Sequence, residues 1–346
     1  MSGIKENVTR VLTGLRADRC AALYYGGSGS ILMFHRVVQE NGSNPRLQNV
    51  SIEVSTAYLE MIVDHLKSEY DVIPLGDVPG RLRARGGRRF AVLTFDDGYL
   101  DNFTLAYPIL KRQDVPFTVF VCTSFPDRNV AIWFYALEDL LLGRDSVMLT
   151  WRGAVRTWPA RNLAEKREAF EALWDLIFNM APPEWASLWP ELFERHEVDL
   201  SRYAREMSMD WEQVRQLARD PLVTIGAHTV SHVPLARLNE DDMMREMAGS
   251  RQRLEDRLGI PVRHFAYPFG SSGAAGPREF AAAARAGFKT AVTTRRGNIF
   301  TSHLDHLMVL PRIDTGRTRG DLSFLRSQLG GLRALVTGQV KRVVTA

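Results

Sequence analysis

The stretch Ala91-Val92-Leu93-Thr94-Phe95-Asp96-Asp97-Gly98-Tyr99 decides the reading of this chain, because an uninterrupted apolar segment runs straight into two adjacent carboxylates. A short apolar run closed by a turn signal reads as a strand covered on both faces, the kind that builds parallel sheets. Gly98 lets the chain turn sharply with no side chain over the site. A second stretch has the same form: Leu222-Val223-Thr224-Ile225-Gly226 leads into His228-Thr229-Val230-Ser231-His232, with two imidazoles four residues apart. In parallel α/β folds functional groups collect at the C-terminal ends of strands. Two His and one carboxylate are a ligand set for a hydrolytic Zn²⁺ site with an open position for water, and a spare carboxylate next door can take that water's proton. The i, i+4 spacing aligns the imidazoles if the segment makes a helical turn, with Thr229 or Ser231 as its cap.

Working outward, apolar runs at Ile31–Phe34, Asp71–Pro74, Phe117–Val121, His264–Tyr267, Phe288–Thr293 and Leu307–Leu310 alternate with helical patterns at Thr56–Ser68, Asn102–Arg112, Asp241–Leu258 and Pro277–Ala286. The third helix is framed best: Asn239 is an N-cap, acidic Glu240, Asp241 and Asp242 suit the first turn, and Gly259 with Pro261 ends it. Strands alternating with helices predict an α/β fold, and seven or eight repeats predict a distorted (β/α) barrel of about seven parallel strands over residues 31–320, with an open doubly wound sheet as the alternative. The alternation breaks at about 125–217, a stretch holding Trp133, Trp151, Trp158, Trp174, Trp185 and Trp189. It reads as a helical insertion near the barrel mouth, its Trp residues mostly core. Residues 1–30 read as an amphipathic helix (Ile4, Val8, Val11, Leu12, Leu15) followed by a Gly/Ser hinge at Gly26–Ser30. Residues 321–346 read as a C-terminal amphipathic helix that Gly330, Gly331 and Gly338 weaken.

Composition excludes several classes. With 45% hydrophobic and 24% charged residues among 346, the chain reads as a packed globule and not as a disordered one. The net charge of +4 comes from basic residues spread along the chain, with no dense track for a nucleic-acid backbone. Cys20 and Cys122 form no C-x-x-C pair and read as reduced thiols. The N-terminus lacks the apolar core of a signal peptide and no run of about 18 apolar residues occurs, which predicts a cytoplasmic protein. The basic amphipathic ends add the expectation of peripheral contact with the inner membrane face.

Three further strand ends carry chemistry. His35 in Phe34-His35-Arg36 has the reach to protonate a leaving amine, and Arg36 can orient a carboxylate. In Arg263-His264-Phe265-Ala266-Tyr267-Pro268-Phe269-Gly270 the Phe269 N–H can face an oxyanion, with Tyr267 beside it as a substrate contact. Arg312, in Leu310–Asp314, is a carboxylate-orienting or substrate-binding group.

Together these residues resemble the polysaccharide deacetylases, the family 4 carbohydrate esterases that include chitin, peptidoglycan and nodulation-factor-type deacetylases. Thr94–Tyr99 is similar to the family's first motif, His228–His232 to its H-[ST]-x-x-H motif and Phe265–Gly270 to its third, over roughly 30–125 and 215–315. The resemblance implies metal-dependent removal of an N-acetyl group from an amino sugar or glycan. Asp96 would be the general base, and Asp97, His228 and His232 would hold the ion, most simply Zn²⁺. Ala266 stands where the family commonly has an Arg, and the late Leu-x-His motif is missing, His303 and His306 lying only nearby. Both departures are similar to the poly-N-acetylglucosamine deacetylase-like subgroup. They imply His35 as the acid, ahead of His306, and Arg36 or Arg312 as the replacement Arg. A sugar nucleotide, a lipid-linked sugar and an oligosaccharide all fit such a substrate. The alternatives are an O-acetyl esterase or deformylase on a modified sugar, or an inactive carbohydrate-binding protein of the same fold.

Overall fold

Seven parallel strands close on themselves at the centre of the molecule: β1 (Gly29–Phe34), β2 (Phe90–Phe95), β3 (Phe117–Val121), β4 (Val223–Ala227), β5 (His264–Ala266), β6 (Thr290–Arg296) and β7 (Leu310–Asp314). Each pairs in parallel with its neighbours in chain order, and β1 pairs with both β2 and β7, which shuts the ring. The computed structural model describes residues 17–39, 47, 49–84, 86–316, 318–336 and 343–345. The distorted (β/α) barrel with a helix-bearing insertion is thus the observed fold. Asp71–Val72 pairs with β2 from outside the ring, so one of the apolar runs is not a barrel stave. Another is displaced: Leu307 follows a short 3₁₀ helix at Thr301–His306, and the strand begins at Leu310.

Side chains alternate across each strand. Ile31, Val92, Phe120, Ala266, Val292 and Leu310 face inward and pack together, while Leu75, Val78 and Leu82 close the barrel bottom. Leu32, Phe34, Leu93, Phe95, Val119, Val121 and Phe265 face outward into a larger core shared with the helices. The outer layer includes the helices Thr56–Glu69, Tyr107–Arg112, Glu240–Leu258 and Pro277–Arg285. Asn239 accepts from Asp242 N and Gly259 ends its helix at φ 69, as the capping residues require.

The insertion is not wholly helical. An antiparallel hairpin, Ser146–Trp151 with Ala154–Pro159, sits among the helices Trp133–Leu142, Leu163–Asn179, Pro182–Leu192, Leu200–Met207 and Trp211–Ala218. Val147 and Leu149 of the hairpin are buried, which a search for helical periodicity does not register. Residues 1–16 of the N-terminal reading lie outside the described residues; a helix spans Ala17–Tyr25. The glycine-rich stretch after it is close-packed and not a free hinge. Ser28 N donates to Ile299 O at 2.7 Å, and a Cβ on Gly27 would meet that oxygen at 2.3 Å. At the other end one helix becomes two, Ser323–Leu329 and Leu332–Val336, because Gly331 takes φ 73 against Tyr25; residues 337–342 and 346 lie outside the described set. Cys122 is buried and free. No helix of the described residues is long and apolar enough to cross a membrane.

Close approach inside the ring is most severe at Gly226, where an added Cβ would stand 2.4 Å from the Phe120 ring. Gly226→Ala is expected to destabilise the protein by about 1–3 kcal/mol through overpacking, read as a lower unfolding midpoint by circular dichroism. An unchanged midpoint would show that the Phe120 ring has room to move.

Candidate active site

The inward-facing line of the strands continues past their C-terminal ends into one pocket of about 520 Å³. His35 follows Ile31 and Met33 in phase, Asp96 follows Val92 and Thr94, His228 follows Gly226, and Thr294 follows Val292; all four line the pocket. Asp97 would point away on an extended backbone, but its φ of 75° breaks the alternation and turns it to the same side. Thr229 (φ 66°), His232 (φ 56°) and Phe269 (φ 60°) are likewise in the left-handed region. Four of the eight such non-glycine residues among the described ones therefore sit at this pocket or in the loop between its histidines. Backbone held in that region costs on the order of 1 kcal/mol or more per residue and persists where surroundings enforce it.

The His228–His232 segment is not a helical turn. It is a loop kinked at Thr229 and His232, and it places the imidazole centroids 5.1 Å apart. Glu246, on the Glu240–Leu258 helix, accepts from Val230 N and Ser231 N at 2.9 Å each and also from the Ser231 hydroxyl. Thr229 Oγ1 accepts from His232 N at 3.1 Å, the capping role foreseen for it on a different backbone.

Asp97 Oδ1 lies 3.1 Å from His228 Nε2 and 3.1 Å from His232 Nε2, and the ligand atoms of all three residues lie within 4.8 Å of one another. His228 Nδ1 is 2.7 Å from Ala266 O, which can only accept, so the proton is on Nδ1 and Nε2 offers a lone pair. Asp97 Oδ1 is buried with no hydrogen-bond partner. Lone pairs converging on a buried carboxylate oxygen repel unless a cation lies among them, and one oxygen with two imidazole nitrogens suits a Zn²⁺-type divalent ion. Burial favours neutral Asp97, yet the nearness of the His232 and His228 imidazoles outweighs it and holds the carboxyl well below its usual range. The residues fit the ion.

Asp96 is built differently. Arg312, with no exposed surface, grips it bidentately: Nη1 to Oδ1 at 2.7 Å and Nη2 to Oδ2 at 2.6 Å. Burial pushes the Asp96 carboxyl up, but the Arg312 charge and hydrogen bonds, with lesser help from His228 and His35, bring it below its ordinary value. His35 Nε2 is 3.8 Å from Asp96 Oδ2. The Phe269 ring stands 5.0 Å from that of His232, and its N–H donates to none of the described residues.

Two other sequence candidates are elsewhere. Tyr267 is one residue out of phase with Ala266, so it faces the helix layer, packs on Phe265 and Phe280, and donates to Met308 O at 2.9 Å. Arg36 is out of phase with His35; Asp101 holds its guanidinium, 5.0 Å from the Tyr99 ring, away from the pocket lining. His303 is buried and bonds Phe300 N at 2.9 Å, and neither it nor His306 lines the pocket. The sequence reading missed the far wall: Asn49, Ser51 and Ile52, and from the insertion Phe134, Phe170, Glu171, Trp174 and Asp175. Buried Glu138 fastens that wall, accepting from Asn49 N at 3.1 Å and Asn49 Nδ2 at 3.0 Å. Helical periodicity puts Phe170, Glu171, Trp174 and Asp175 on one face, a signal present in the sequence but silent about what the face meets.

The polysaccharide deacetylase family profile matches residues 83–291, more than half of the chain. The chain belongs to the polysaccharide deacetylase family. Among solved structures, the Streptococcus pyogenes deacetylase PplD in complex with acetate superimposes with a TM-score of 0.55 at 19% identity, covering 87% of this chain and 97% of that one. A de-N-acetylase from Aggregatibacter actinomycetemcomitans gives 0.54 at 15%, covering 86% and 98%. A Bacillus cereus polysaccharide deacetylase gives 0.53 at 17%, covering 87% and 68%. At these identities the likeness is one of fold. No curated protein sequence matches. For this member of the deacetylase family, Glu246→Ala is expected to weaken divalent-ion binding about tenfold or more by freeing the histidine loop. Titration with Zn²⁺ checks this; affinity equal to that of the unaltered protein would show that the loop holds its shape alone.

Proposed function

We propose that this chain is a metal-dependent de-N-acetylase that removes the acetyl group from an amino sugar within a glycan. The convergence of His228 and His232 on an orphaned Asp97 oxygen, beside a separately held Asp96, carries this reading. A de-N-acetylase and a deacetylase bound to acetate among the structural relatives support the choice of acyl group. A divalent ion on Asp97, His228 and His232, Zn²⁺ in this reading, supplies Lewis acidity toward the acyl oxygen and lowers the pKa of water.

The protein's own groups do the rest. Asp96 accepts the proton of the attacking water; Arg312 fixes its direction through two hydrogen bonds and keeps it ionised. Arg312 thereby fills the part left vacant by Ala266. The Phe269 N–H donates to the acyl oxygen as charge develops there. His35, whose Nε2 lies 3.8 Å from Asp96 Oδ2, gives its proton to the nitrogen as the C–N bond breaks, so acetate and the free amine leave.

Acetate release from an N-acetylglucosamine oligomer in the presence of Zn²⁺ tests the assignment, and its absence would overturn it. Asp96→Asn should lose about 10²–10⁴-fold in turnover while still binding Zn²⁺; loss of the ion would make Asp96 a ligand. His35→Ala should be impaired with its ion retained, and near-normal turnover would remove His35 as the acid. A depressed Asp96 stays ionised into acidic solution, so the acidic limb of the kcat profile lies low. Arg312→Met leaves burial opposed only by the lesser effects of His228 and His35, and the limb should move to higher pH. An unmoved limb would mean that Asp96 is not the titrating base.

A further inference from the structure

One wall of the pocket belongs to neither the metal site nor the barrel. The Leu163–Asn179 helix turns Phe170, Glu171, Trp174 and Asp175 toward the cavity, positions i, i+1, i+4 and i+5 of a single face. Trp174 is half-buried, braced edge-on by Phe269 at 6.0 Å and against Trp133 at 4.7 Å, so its ring is held in place. Asp175 is exposed to the cavity, and no described residue bonds its carboxylate; the nearby Asn179 amide goes to its backbone oxygen. No Lys or Arg is among the described residues lining the pocket, whereas Asp96, Asp97, Glu171 and Asp175 are. Of these, Asp96 is neutralised by Arg312, and Asp97 Oδ1, buried in the same cavity, lacks a hydrogen-bond partner.

A carboxylate beside a fixed indole face is a receptor for an ammonium group, through ion pairing and cation–π attraction together. The reaction assigned above makes such a group: each removal of acetyl leaves a protonated amine on the sugar. We propose that Trp174 and Asp175 form a subsite for a free amino sugar next to the unit being deacetylated. Chains already partly deacetylated are then the favoured substrates. The inference rests on the de-N-acetylase reading for its biological meaning, though not for its binding test.

Titration calorimetry on the full chain, with a glucosamine tetramer and an N-acetylglucosamine tetramer as probes, reads the subsite directly. The glucosamine tetramer should bind about 3- to 10-fold more tightly, with a preference that shrinks as salt is raised. Asp175→Asn and Trp174→Leu should each bring the two affinities together. Equal affinities, undetectable glucosamine binding, or a preference that Asp175→Asn leaves intact would overturn the proposal; the last would place the amine at the metal centre. Acetate release measured in parallel separates the two readings. Selective glucosamine binding with no acetate release keeps the subsite and removes the de-N-acetylase assignment, and acetate release with equal affinities does the reverse.

Discussion

A guanidinium without exposed surface has to find every partner inside the protein, and Arg312 finds them on two other strands. Its Nε donates to Thr293 O on β6 at 2.9 Å, Nη1 to Thr94 Oγ1 on β2 at 3.1 Å, and both terminal nitrogens reach Asp96. Thr94 in turn donates to Leu32 O on β1 at 2.7 Å. A buried ion pair adds little net stability, since the cost of desolvating two charges offsets their attraction, but breaking it by removing one partner costs about 3–5 kcal/mol. What it delivers is position. The pair spans the interior where β7 and β2 flank β1, so closure of the barrel and aim of the Asp96 carboxylate are set by the same contacts.

Asp97 shows the complementary solution. Asp96 is satisfied by protein groups and Asp97 Oδ1 is not, although the two are adjacent in the chain and equally buried. The left-handed backbone at Asp97 lets neighbouring carboxylates share one cavity while meeting different partners. Left-handed kinks at Thr229 and His232 do the same for the imidazoles, with Glu246 and the Ala266 carbonyl as external braces.

How much of this was legible in the sequence depends on which physical signal a feature leaves. Barrel strands are short, wholly apolar and bounded by turns, so six of the seven ring strands fell where the apolar runs lay, within a residue or two at most edges. Leu310–Asp314 carries a Pro, an Arg and an Asp, and its apolar signal was overshadowed by the preceding Leu307–Leu310. Asp96, Asp97, His228, His232 and His35 stood out because titratable groups at strand ends are rare outside sites. Arg36 and Tyr267 were misplaced because strict alternation, carried two residues past one strand and one past the other, already turned them outward. The pocket wall on the insertion left no such trace. Periodicity tells which residues of Leu163–Asn179 share a face; only the folded chain brings that face over the metal ligands.

That wall and the ligand cluster come from segments with different structural duties. The cluster is built into strand ends whose phase, register and closure are interlocked, so a change there propagates around the ring. The Leu163–Asn179 helix is anchored through its apolar residues and presents the remainder to whatever enters. The face that meets whatever enters can therefore diverge by repainting one helix while Asp97, His228 and His232 keep their own supports, a division of labour that makes the scaffold readily retargeted.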